Sequence, residues 1–81
     1  MPQARADLSK TPMVLAVETD READGRWIAD VPDLPGVMAY GASRDAALAA
    51  VQALALRVLA DRLESGELSP AADLRVSFAA A

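Results

Sequence analysis

The stretch Val31-Pro32-Asp33-Leu34-Pro35-Gly36-Val37 constrains this chain more than any other. Pro32 and Pro35 each fix their own φ and push the residue before them towards extended geometry. Gly36 supplies the positive φ that a tight reversal needs. Pro32, Asp33, Leu34, Pro35 and Gly36 are therefore a structural corner between two short apolar runs, with Asp33 placed to bond nearby backbone N–H groups. Whatever the chain folds into must carry a strand into this corner and another out of it.

On the incoming side, Arg26 to Val31 alternates, with Trp27, Ala29 and Val31 on one face and Arg26, Ile28 and Asp30 on the other. On the outgoing side, Val37 to Gly41 opposes Val37 and Ala39 to Met38 and Tyr40. Upstream, Met13 to Thr19 is apolar and β-branched and makes another strand. Asp20-Arg21-Glu22-Ala23-Asp24-Gly25 joins it to the next, its final Asp-Gly supplying a hairpin reversal. These strands form an antiparallel meander. Residues 1–11 show neither a period of two nor one of 3.6 and read as a loose N-terminal arm; residues 12–81 read as one domain.

Ser43 can cap a helix through its hydroxyl, and Asp45 puts a negative charge where the helix dipole favours one. From Arg44 to Ser65 the run is rich in Ala and Leu without Gly or Pro, and Gly66 stops it. Ala47, Val51, Leu54, Ala55 and Val58 share a face, and Leu48, Leu56, Leu59 and Leu63 widen it beyond what a small sheet should cover. Asp73 to Ala79 alternates again and makes the last strand. A helix of this length spans about 33 Å, enough to return along the sheet through a right-handed crossover. The fold class is α+β, β-β-β-α-β, with one helix on one face. The fourth strand runs parallel to the first, giving the order 3-2-1-4.

Composition excludes more than it assigns. With 81 residues the chain is a single small domain that buries a low fraction of its surface, so self-association is an expected remedy. Twelve acidic against 8 basic residues give a net charge of -4, the wrong sign for a phosphate-neutralising surface, so direct nucleic-acid binding is not expected. A basic protein partner fits the sign. There is no Cys and no His, which removes thiolate nucleophiles, most zinc ligands and the commonest general base. Glu18 and Asp30 sit at strand ends and do not make the converging carboxylate set that a two-metal site needs. No catalytic, cofactor or metal residue is expected. The first ten residues lack the pattern of a signal peptide, and no apolar run reaches the roughly 18 residues of a membrane span; a cytoplasmic chain is expected.

One helix cannot cover both faces of the sheet. The far face, with Val14, Ala16, Ile28, Met38 and Tyr40, is too apolar for plain solvent surface. Ile28, Met38 and Tyr40 are therefore interface candidates, as are Leu56, Leu59 and Leu63 on the spare helix flank, and Asp20, Glu22 and Asp24 in the acidic loop. Trp27 is assigned to the core with Ala29 and Val31.

The succession Gly25-Arg26-Trp27-Ile28-Ala29-Asp30-Val31-Pro32-Asp33-Leu34-Pro35-Gly36-Val37, then Tyr40-Gly41, then Ser43-Arg44-Asp45-Ala46-Ala47-Leu48, resembles the N-terminal domain of the HicB antitoxin family. The likeness spans residues 13–78. It implies a partial ribonuclease H-like fold without a nuclease site, which oligomerises and neutralises a small basic ribonuclease toxin of the HicA kind. Full-length members add a C-terminal DNA-binding domain. This chain runs to Ala81 and resembles the short, solitary form, and at Ala46 it lacks the acidic residue that completes the capping box. The function implied is that of a non-catalytic antitoxin in a type II toxin–antitoxin system, with itself as homodimer or homotetramer and a HicA-like toxin as partners. The alternative is a solitary homo-oligomeric regulatory or ligand-binding module without a toxin partner.

Overall fold

The structure, a computed structural model, describes residues 13–71 and 73–80. The expected N-terminal arm, residues 1–11, lies outside them. Strands β1 (Met13–Arg21), β2 (Trp27–Asp30) and β3 (Met38–Gly41) are followed by helix α1 (Arg44–Ser65) and strand β4 (Val76–Ala80). The sheet has the order β3-β2-β1-β4. β1 pairs antiparallel with β2 and parallel with β4, and β2 pairs antiparallel with β3. The fold is the α+β, β-β-β-α-β arrangement that the alternation and the long Ala/Leu run call for.

Every strand differs from its expected bounds by a residue or more: β2 is Trp27–Asp30 where Arg26 to Val31 is expected, β3 starts at Met38 where Val37 is expected, and β1 and β4 shift further. β1 continues to Arg21 because its hairpin partner reaches back to Trp27, opposite Arg21. β4 begins at Val76, not Asp73, since ladder pairing starts at Met13↔Val76. Upstream of it the Asp73 carboxylate is held by the Arg75 guanidinium, Nε to Oδ1 3.1 Å and the second nitrogen to Oδ2 3.0 Å.

The corner is two β-turns in series. Leu34 N–H donates to the Val31 carbonyl (3.0 Å) and Val37 N–H to the Leu34 carbonyl (2.9 Å), and Val31 N–H closes the loop on the Val37 carbonyl (3.0 Å). Each proline occupies the second position of its turn, where its fixed φ costs nothing, and Gly36 takes φ 86° in the third position of the latter. This geometry turns Leu34 inward, where it is fully buried with Val31. Asp33 does not bond the local N–H groups as expected: the backbone carbonyls already satisfy the turn, and its side chain is exposed.

α1 follows its signals closely. Ser43 is extended (φ −136°, ψ 167°) and its Oγ accepts from Ala46 N–H at 3.1 Å. Gly66 ends the helix at φ 87°, and the chain folds back so that Leu68 N–H reaches the Arg62 carbonyl (3.1 Å) and buries its side chain. The helix seats mainly on β3 and β2 and only lightly on β1. Small residues permit this close approach, with Ala29, Ala39 and Gly41 on the sheet meeting a helix that buries Ala47, Val51 and Ala55. At Gly41 no side chain fits: a methyl group would fall on the Ala47 backbone nitrogen and come within 2.7 Å of the Ala46 carbonyl carbon.

Candidate interaction surface

The register assigns every strand side chain to a face. Met13, Leu15 and Val17 of β1, with Ala29 of β2, point under the helix and are buried. The opposite face carries Val14, Ala16, Glu18 and Asp20 from β1, Ile28 and Asp30 from β2, Met38 and Tyr40 from β3, and Ser77 and Ala79 from β4. No described element covers it. Val14, Met38 and Tyr40 remain 55%, 49% and 46% exposed.

Three carboxylates stand among these apolar groups, and the strands place no Lys or Arg on this face. Glu18 lies directly opposite Asp30, and Asp20 opposite Ile28. Like charges opposed across a ladder are unfavourable, and neither Glu18 nor Asp30 has a basic partner among the described residues. Apart in sequence, these two acids meet only through the hairpin register. Their juxtaposition follows from loop length and pairing parity, a signal the reading of isolated strands did not use.

The rim above this face is built by the hairpin loop. Glu22 N–H donates to the Arg26 carbonyl (2.7 Å) and Gly25 N–H to the Glu22 carbonyl (2.9 Å), with Gly25 at φ 91°. Asp24 then holds Arg26 twice, accepting its backbone N–H at 3.0 Å and its Nε at 2.8 Å. Those bonds, the backbone one first, keep the Asp24 carboxyl below its ordinary value. So anchored, the Arg26 guanidinium lies 4.4 Å from the Tyr40 ring centroid, a cation–π contact at the edge of the open face.

The expected interface residues are thus distributed unevenly. Ile28, Met38 and Tyr40 share the open face, with Ile28 half-buried. Asp20 projects from the same face and Asp24 from its rim, while Glu22 serves the loop mainly through its backbone. Of the three helix candidates Leu56 alone is exposed, at 49%. Leu59 is buried and Leu63 packs against the core, so these two do not form a free flank: the helix face is broader than one stripe because β2, β3 and the Leu68 turn all press on it. Trp27 packs on the core from the edge of the helix side.

Among the described residues no three Asp, Glu, His or Cys side chains gather as a metal-binding set, and no helix is long and apolar enough to cross a membrane. The surface can offer apolar contact and negative charge. Comparison of the chain with models of protein families, with curated proteins and with solved structures gave no match in any of the three.

Proposed function

We propose that this chain is a non-catalytic interaction protein of the HicB-like antitoxin kind, which binds and neutralises a small basic HicA-like ribonuclease. The observation that carries the reading is the open sheet face: Val14, Met38 and Tyr40 exposed around Glu18, Asp20 and Asp30, with no strand cation among them. A basic, partly apolar surface would bury the first group and relieve the repulsion in the second. The order of corner, glycine and capped helix in the sequence points the same way.

The test pairs the purified chain with a small basic ribonuclease encoded beside it, measuring association by calorimetry and RNA cleavage in parallel. A stoichiometric complex that silences cleavage and weakens with added salt is expected. Glu18→Lys and Asp30→Lys should each weaken the complex at least about tenfold while stabilising the free chain by up to about 1 kcal/mol, since each removes an opposed like charge. If the proteins fail to associate, the reading is wrong. A second reading, a homo-oligomeric module of regulatory or ligand-binding role, is favoured by the uncharged outer strand β4.

A further inference from the structure

The sheet has two edges, and they are not equivalent. β3 is a short edge that runs directly from the Pro-Gly turn into the helix cap at Ser43. β4 pairs with β1 alone, and from Val76 to Ala80 it contains no charge and no proline. Edge strands are ordinarily guarded by charge, proline or a covering element, and β4 has none of these among the described residues. Because α1 sits over β3 and β2, the helix-side groups of this edge stay incompletely covered: Val76 and Phe78 are half-exposed, and so is Leu74 just before them. Phe78 is the chain's one phenylalanine, and although it packs against the core it is only half-buried.

We infer that β4 is a self-pairing edge, along which a second copy of this chain adds its own β4 antiparallel across a two-fold axis, joining the two sheets into one. The backbone fixes the register. Met13 N–H donates to the Arg75 carbonyl at 2.8 Å, so the odd-numbered residues of this stretch turn their N–H and C=O groups towards β1. Val76, Phe78 and Ala80 therefore turn theirs outward. The midpoint of that outward set is Phe78, so the axis passes between Phe78 and Phe78 of the second copy. Val76 then meets Ala80 of the second copy, and each of these facing pairs exchanges both of its N–H···O bonds.

Charge and shape favour a second copy over another occupant. The paired strands bring no like charges together, whereas stacking two open faces would press together two surfaces that each carry Glu18, Asp20 and Asp30. An isologous contact needs a surface complementary to itself, and an uncharged strand with a central aromatic is one. The two Phe78 rings meet on the helix side, where Val76 and Leu74 flank them and cover what the single chain leaves bare. The open acidic face stays free on the other side of the joined sheet. The inference therefore holds whichever reading of function is right, and it is tested on this chain alone.

Light scattering on micromolar protein should give twice the 8.5 kDa of one chain. Ala80→Pro removes an outward N–H and leaves the β1 pairing intact, since proline is tolerated at the outer side of an edge strand. It should weaken the dimer at least about tenfold, because the two-fold removes two hydrogen bonds at once, with an unchanged circular dichroism spectrum. If that variant fails to fold, cross-linking decides. The chain has no cysteine, so Phe78→Cys introduces a single thiol on the axis, where facing Cα atoms are about 5.5 Å apart, within disulfide reach. Phe78→Cys should form a covalent dimer on mild oxidation, and Ala80→Cys, which faces Val76 of the second copy, should not. A monomeric wild-type chain, a dimer indifferent to Ala80→Pro, or equal cross-linking of the two cysteine variants would overturn the inference.

Discussion

Val14 and Val17 are the same residue on the same strand, three positions apart, yet one is 55% exposed and the other 1%. The two faces of the sheet differ in this way throughout. Under the helix, Leu15, Ala29 and Val31 are sealed to 1% or less, and no buried polar or charged group interrupts them. On the other side Val14, Met38 and Tyr40 stand open around carboxylates. Hydrophobicity alone does not distinguish the faces of β1 between Met13 and Val17, because both phases of the alternation are apolar there. The placement of acids and the sizes of the residues do. Every acid within a paired strand falls on the open side, while the helix side carries the alanines and the glycine that let α1 come close. One face is closed by the helix, and the other is left open with its apolar and acidic groups side by side.

The sharpest way to break the closed face is at Gly41. A methyl group there meets backbone atoms of Ala46 and Ala47, which cannot swing aside as a flexible side chain would. Gly41→Ala should therefore cost about 3 kcal/mol or more, a large part of the stability of a domain this small, as measured by urea unfolding. Gly36→Ala is the control. It has open space around it and suffers only the penalty of a positive φ, about 1–2 kcal/mol. Equal losses at the two positions would mean that helix and sheet are not in the close contact described.

A second pair of substitutions compares the faces directly. Leu34→Ala empties a fully buried site at the corner and should destabilise by about 2–5 kcal/mol. Met38→Ala, one residue beyond the corner but on the open face and 49% exposed, should cost the isolated chain less than about 1 kcal/mol. A larger loss at Met38 in a dilute, partner-free sample would show that the open face is already covered in solution.

Much of this was legible in the residues. The corner, the Ser43 cap, the Gly66 stop and the alternation of each strand specify the fold because their signals are local: fixed φ values, a capping hydroxyl, a period of two. What escaped the reading depends on long-range placement. Leu68 sits between Glu67 and Ser69 in a turn without periodicity, and only the chain's fold-back against α1 buries it. Leu59 and Leu63 look like a spare flank in the sequence because a sequence does not show how many elements press on a helix. Glu18 and Asp30 became a pair only once the hairpin register set them opposite each other. The apolar half of the open surface, by contrast, was apparent from strand parity alone.

The smallest expected effect lies at the rim of the open face, where Asp24 anchors Arg26 above Tyr40. Asp24 is exposed, and its carboxyl is lowered from 3.8 chiefly by the Arg26 backbone N–H and then by the guanidinium. A carboxyl whose folded value lies below its unfolded one contributes stability that is present above the unfolded value and is lost as pH falls through the folded one. The loss should therefore set in only below about pH 3.8 and be slight, because solvent screens the pair. An NMR titration reads it best. The Asp24 carboxyl should titrate below 3.8, and the Tyr40 ring signals should shift with the same midpoint as Arg26 is released. Asp24→Asn should abolish that coupled shift while leaving the Leu15 and Val17 methyl signals in place, since the helix side has no part in it. If those buried methyls moved with the same midpoint, the two faces would be coupled through the hairpin and the open face could no longer be treated as a surface separate from the core.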